Sequence, residues 1–97
     1  MPLGRFKQHT NEIKRYSIDY TQWLDAGETV SDVVYTVQNV TVPPLEVLDT
    51  VISDDNVQVT FYVSGGVDGE SYEVVVKMST TGGQVKEDEL VYIIEAL

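Results

Sequence analysis

The sequence predicts an all-β sandwich, and three observations carry that prediction. Apolar residues alternate with polar ones in short runs instead of recurring every three or four positions, so the period is that of strands. Clusters of turn-forming residues recur at intervals of about 8–12 residues, the spacing found in antiparallel sandwiches. Seventeen of the 97 residues are valine; its branched Cβ is stiff at χ1 and suits a pleated surface better than a helix. No amphipathic stretch is long enough for a helix, and 97 residues make one domain able to bury a core of its own.

Each element follows from its local pattern. Met1 to Glu12 carries neither a helical nor a strand period. Pro2, Gly4 and the polar run Gln8-His9-Thr10-Asn11 predict an irregular segment that orders only when bound. This divides the chain into an extended N-terminal arm over 1–14 and a sandwich domain over 15–97. Tyr16, Ile18 and Tyr20 alternate with Ser17 and Asp19 and form the first strand. Thr21-Gln22-Trp23-Leu24-Asp25 is a short turn, closed by Gly27. A second strand is expected over Val30 to Val42, ended by Pro43-Pro44, which cannot sit inside a central strand. Leu45 to Ile52 gives a third, followed by the turn Ser53-Asp54-Asp55-Asn56. Val57, Val59, Phe61 and Val63 mark a fourth, and Tyr72, Val74, Val76 and Met78 a fifth, separated by the glycine-rich loop 64–69. Thr80-Thr81-Gly82-Gly83 is a hairpin turn into a last strand over Val85 to Ile94.

One local signal narrows the class. In Asp68-Gly69-Glu70-Ser71-Tyr72-Glu73-Val74, the tyrosine stands two positions before a core residue. Immunoglobulin-like sandwiches place a tyrosine there, at the start of strand F, and its hydroxyl bonds the backbone a few residues upstream. Tyr72 is the candidate corner tyrosine, and Val74 stands where antibody domains have cysteine. The fold expected is thus an immunoglobulin-like antiparallel β-sandwich of about seven short strands with an extended N-terminal arm.

Charge restricts the function. Six basic and sixteen acidic residues give −10, which argues against nucleic acid as a partner of the body of the domain. Arg5, Lys7, Lys14 and Arg15 place four of the six bases in the first fifteen residues against one acid, Glu12, so that segment is +3 and the remainder −13. Either the arm is simply solvated, or it docks on an acidic neighbouring subunit; a DNA-contacting arm fits least, because the acidic body repels the same duplex. No apolar run has the length of a membrane span or of a leader. Without cysteine there is no disulfide, thiolate zinc site or cysteine nucleophile, which favours folding in a reducing compartment.

No constellation points to catalysis or to a cofactor. His9, the only histidine, has no orienting partner nearby in the sequence. No serine lies in a G-x-S-x-G elbow. Loop 64–69 lacks the Lys-Ser/Thr and the helix of a phosphate loop. The acidic pairs Asp54-Asp55 and Glu87-Asp88-Glu89 read as solvated charge. A calcium site joining Asp54, Asp55 and Asn56 to Asp68 is the one metal arrangement conceivable, if the loops converge.

The run from Ile13 through Tyr16-Ser17-Ile18-Asp19-Tyr20, Trp23-Leu24 and Gly27-Glu28-Thr29-Val30 resembles the opening of small tailed-phage fiber–tail adaptor proteins. The later block is similar to the second half of that family: Ser64-Gly65-Gly66, Gly69 with Tyr72 and Val74, then Ser79-Thr80-Thr81-Gly82-Gly83 and a charged strand with Glu87 or Glu89. Tyr20 stands where the family often has tryptophan, as do Val34 or Tyr35 in the second strand, and Pro43-Pro44 is unusual for it. The resemblance implies a virion structural protein of the tail, made in the host cytoplasm. It would be present in several copies and join the tail or neck machinery to tail fibers, contacting those proteins and neighbouring copies. It brings no catalytic residue, cofactor, nucleic acid or membrane.

An adaptor needs a rigid body and at least one extended contact. The partner-binding candidates are Leu3, Arg5, Phe6, Lys7, Lys14, Arg15 and Trp23: apolar anchors set among the bases of the arm, and the single tryptophan. Deleting residues 1–12 is expected to abolish assembly while leaving the melting temperature of the domain nearly unchanged. The alternative function is a capsid decoration or glycan-binding immunoglobulin-like module, which requires Tyr35, Tyr62 and Tyr92 to face outward together at one end.

Overall fold

A computed structural model describes residues 3–95; residues 1–2 of the expected arm and 96–97 of the expected domain lie outside the described residues. Seven strands follow one another with no helix among the described residues: β1 (Gly4–His9), β2 (Ile13–Asp19), β3 (Val30–Val37), β4 (Leu45–Ile52), β5 (Gln58–Gly65), β6 (Ser71–Thr80) and β7 (Val85–Glu95). They form two sheets, β1-β7-β6-β3 and β2-β5-β4. β2, β5 and β4 stand where the immunoglobulin fold has strands B, E and D, and β3, β6 and β7 where it has C, F and G. The body is elongated, 44 × 23 × 19 Å.

Alternation decides which residues are inside. β6 is the clearest case: Tyr72, Val74, Val76 and Met78 are wholly buried, while Ser71, Glu73 and Lys77 between them are exposed. Val59, Phe61 and Val63 of β5 and Leu90, Tyr92 and Ile94 of β7 complete the centre of the core. A chain of aromatic rings crosses the gap between the sheets. Phe6 lies 4.8 Å from Tyr16 and 5.4 Å from Tyr92, and Phe61 packs between Tyr16 and Tyr35 at 6.1 and 5.0 Å. Offset and tilted pairs at such separations add about 0.5–1.5 kcal/mol each beyond the area they bury.

The expected corner is present. The Val67 N–H donates to the Tyr72 hydroxyl at 2.8 Å. The Thr41 hydroxyl donates to the Pro43 carbonyl at 2.7 Å, so its oxygen takes the Tyr72 proton at 2.7 Å. Tyr72 therefore ties the β5–β6 loop to the segment that crosses from β3 to β4, and its buried phenol has a partner both as donor and as acceptor.

Two expectations are corrected. The irregular arm is in large part β1, a strand lying parallel to β7 in a register from Gly4 opposite Leu90 to His9 opposite Glu95. Its inward positions are Gly4, Phe6 and Gln8, so only one of three is apolar and no hydrophobic period shows in the sequence. Gln8 is buried because its polar atoms are satisfied: Nε2 donates to the Val63 and Glu12 carbonyls at 2.7 and 3.1 Å, and Oε1 accepts from the Tyr16 hydroxyl at 2.9 Å. An edge strand bonded in this way is part of the body, and its deletion must lower the melting temperature instead of leaving it unchanged. The second strand also ends earlier than expected, at Val37. Its partner β6 starts at Ser71, and after Gln38 donates to Glu73 the chain leaves the sheet to cross to β4.

Candidate functional site

β1 and β2 are edge strands of opposite sheets, joined by the turn His9–Glu12, and they face each other along one long side of the sandwich. No strand closes that side among the described residues. A groove of about 470 Å³ runs along it, with Leu3, Phe6, Arg15 and Asp19 at its surface and the buried Ile18, Phe61 and Leu90, each 8% exposed or less, beneath them. Leu3 is held at the margin by its N–H bond to the Glu89 carbonyl at 2.7 Å, yet keeps 54% of its surface exposed. Phe6 reaches the surface there because the aromatic chain fills the gap between the sheets from within and stops at it.

Four bases stand on the two strands that border the groove, and Arg15 shares its margin with Asp19. Arg15 projects from β2, and Lys14 beside it sets its Nζ 5.9 Å over the Tyr16 ring. Arg5 and Lys7 alternate with Phe6 and Gln8 and so stand on the outward face of the four-stranded sheet. Lys7 approaches Glu95 at 4.0 Å, both well exposed. Arg5, Lys14 and Arg15 take part in no ion pair among the described residues. Burial, followed by the Glu12 carboxylate, pushes the Tyr16 phenol above its usual range, so it remains a neutral donor to Gln8.

Of the seven expected partner-binding residues, the structure gathers Leu3, Phe6 and Arg15 on one groove, with Lys14 adjoining it and Arg5 and Lys7 on the other side of β1. Phe6 is half-buried, so it serves the fold as well as the surface. Trp23 is not brought to them. It lies in the turn after β2, its N–H bonded to the Tyr20 carbonyl at 2.9 Å, and packs half-buried against the core.

The motifs that carried the resemblance meet elsewhere, at the end of the sandwich formed by the β2–β3 segment and the β6–β7 turn. The Glu28 carboxylate accepts from the Thr80 hydroxyl at 2.7 Å and from Gln84 Nε2 at 3.0 and 3.2 Å. Thr29 and Thr81 bond in both directions, Thr29 N–H to Thr81 Oγ1 at 3.1 Å and Thr81 N–H to the Thr29 carbonyl at 2.9 Å. Hydrogen bonds from Thr80 first, then from Gln84 and from backbone N–H groups, hold the Glu28 carboxyl below its usual range. Gly27-Glu28-Thr29 and Thr80-Thr81-Gly82-Gly83 are therefore two halves of one clasp.

Two other readings of the sequence are settled by placement. Asp54, Asp55 and Asn56 precede β5 and Asp68 follows it, so this eight-residue strand separates them by about 25 Å and they cannot share a calcium ion. Tyr92 is wholly buried and Tyr35 packs on Phe61, which leaves Tyr62 alone of the three tyrosines on an outward face. The outward aromatic cluster required of a glycan-binding module is absent among the described residues.

Sequence reasoning missed a second exposed feature. Val40 and Val42, in the β3–β4 loop, keep 84% and 95% of their surface exposed. The signal was available, since a valine run that enters Pro43-Pro44 has to leave the sheet.

A search of curated proteins finds no match to the chain. A family model does match it over residues 8–92, that of the podophage GP4 fiber-tail adaptor protein gp77. It spans β2 to β6 and most of β7, and with them the corner tyrosine, the Glu28 clasp and the basic residues of β2. The chain belongs to this podophage fiber–tail adaptor family.

Proposed function

We propose that this protein joins the tail or neck machinery of a phage to its fibers by protein–protein contacts, through the flank between β1 and β2. The observation that carries the reading is the presence of three cations without an ion pair among the described residues, Arg15 at the groove, Lys14 adjoining it and Arg5 across β1, on a chain of net charge −10. Opposite charge steers an acidic partner to that flank, and Leu3 and Phe6 supply the burial that holds it. In this reading residues 1–14, β1 included, are the docking element, packed on the sandwich of residues 15–97. Leu3 and Phe6 are apolar anchors, Arg5, Lys7, Lys14 and Arg15 set orientation, and Trp23 adds a contact at a separate place. The protein acts by binding, without catalysis, cofactor, nucleic acid or membrane. It is made in the host cytoplasm and assembled in multiple copies with other virion proteins.

Supply of an Arg5→Glu/Lys14→Glu/Arg15→Glu variant to phage lacking the wild-type protein tests this. All three side chains are exposed, so the variant folds with an unchanged melting temperature, yet tails carry neither the variant nor their fibers. Tails that incorporate it as well as the wild type would remove the flank from the account.

A further inference from the structure

β2 is a strand with one neighbour. In the immunoglobulin fold a strand A pairs with strand B; here β1 pairs with β7 instead, and the place beside β2 is open among the described residues. The hydrogen-bonding groups along that edge follow from the ladder. The Tyr20 N–H donates to the Val57 carbonyl at 2.9 Å, in the register that β2 keeps with β5. Bonded positions alternate in an antiparallel pair, so Tyr16 and Ile18 turn their N–H and C=O groups to β5. Arg15, Ser17 and Asp19 turn theirs to the open edge. No bulge or proline blunts it. β3 and β4 carry register shifts, between Val30 and Asp32 and between Leu48 and Val51, which guard an edge against pairing, whereas β2 runs unbroken from Ile13 to Asp19. β1 is unbroken too, but the groove lies along the edge of β2. Arg15, Ser17 and Asp19 line it from β2 and Leu3 and Phe6 from β1, so a strand laid there has two apolar side chains beneath it.

We infer that the open edge of β2 takes a β-strand donated by another virion protein, which makes the three-stranded sheet four-stranded like the sheet opposite. The inference rests on the adaptor reading and specifies how the flank binds. The occupant is identified by what the edge offers. Donors and acceptors that alternate along a strand of seven residues match the main chain of an extended polypeptide. Alternate side chains of that polypeptide point into the groove and cover the exposed Leu3 and half-buried Phe6, so they are apolar. Of the two charges on the edge, Asp19 already accepts from the Thr21 N–H and hydroxyl, while Arg15 takes part in no ion pair among the described residues. The donated strand therefore carries an acid opposite Arg15 on its outward face, as a cross-strand pair. In a second copy of this chain every described strand already belongs to a sheet. The donor is thus a segment left unpaired in its own protein and ordered on docking.

Proline at position 17 tests it. The Ser17 N–H faces the open edge, so Ser17→Pro removes no bond to β5, a setting in which an edge strand tolerates proline. Ser17→Ala loses the same hydroxyl contact with Thr60 and keeps the N–H. Each variant is supplied to phage lacking the wild-type protein. Both fold with similar melting temperatures; tails supplied with Ser17→Ala carry fibers, and tails supplied with Ser17→Pro carry none. Fibers attached through Ser17→Pro overturn the inference. Residue-resolved hydrogen exchange on the wild type decides the matter if Ser17→Pro does not fold. The Arg15, Ser17 and Asp19 amides exchange freely in the isolated chain and are protected in assembled tails, while those of Tyr16 and Ile18 are protected in both. Edge amides that exchange as freely in tails as in the isolated chain overturn the inference. Protection that appears in the isolated chain as its concentration rises makes a second copy the donor and overturns it as well. If Ser17→Pro tails keep their fibers while the triple charge reversal of β1 and β2 still strips them, strand addition fails and the adaptor reading stands.

Discussion

At the scale of single residues, the tyrosines show how much context decides. Tyr72 is legible in the sequence because its place two positions before a core valine, after Gly69, is a local signature, and the structure gives it the hydrogen bonds that signature implies. Tyr92 carries no such signature. Its hydroxyl is buried with no hydrogen-bond partner among the described residues, and burial first, then the neighbouring phenols Tyr16 and Tyr35, push its pKa far upward. The two therefore respond differently to loss of the oxygen. Tyr72→Phe should cost about 1–2 kcal/mol in urea unfolding, because it leaves the Val67 N–H without its partner. Tyr92→Phe should be neutral or stabilising by up to about 1 kcal/mol, because no bonded partner is abandoned. Equal losses in both variants would contradict this assignment. Glu28 sets a pH response. Its folded pKa lies below the unfolded value, so its contribution is complete above the ordinary carboxylate range and is lost as pH falls through the lower folded value. Urea midpoints taken from about pH 6 to about pH 3 should fall less for Glu28→Gln than for the wild type.

At the scale of elements, β5, β6 and β7 were readable and β1 was not. The readable strands put apolar residues on every inward position of their central parts. β1 puts glycine, phenylalanine and glutamine there, and Gln8 is tolerated inside only because a carbonyl of β5 and the Tyr16 hydroxyl satisfy it. Those partners lie 55 and 8 positions away, so nothing local to residues 4–9 announces the strand. The consequence is measurable. Phe6→Ala, which removes the end of the aromatic chain, should destabilise by about 2 kcal/mol, less than a fully buried phenylalanine because Phe6 is half-buried. Deletion of residues 1–12 should lower the melting temperature by several degrees or more; an unchanged value would return the segment to a detached arm. The β5–β6 corner has its own constraint. Gly65 has φ +81°, and a Cβ there would stand 2.5 Å from the Pro44 carbonyl oxygen, so Gly65→Ala should cost at least about 2 kcal/mol.

At the scale of the whole molecule, charge is the feature the sequence displayed best and located least. The +3 of the first fifteen residues was countable, but its meaning depended on the pairing of β1 with β7, which sets Arg5 and Lys7 beside the flank that β2 completes with Lys14 and Arg15. The exposed valine pair of the β3–β4 loop was hidden for a related reason, since Val40 and Val42 continue the apolar pattern of β3 and only the end of β6 shows that they have left the sheet. In the proposed reading, the long side of the sandwich takes an acidic, apolar partner. Its complexes should loosen as salt rises, and salt-insensitive attachment would point to an interface without these charges. The most direct measurement is an electron-microscopy map of the assembled tail at a resolution that traces strands. The account predicts this sandwich at the junction of tail and fiber, with the β1–β2 flank and Arg15 buried against another chain. A map in which that flank faces solvent while the opposite edges, β3 and β4, hold the partners would contradict it.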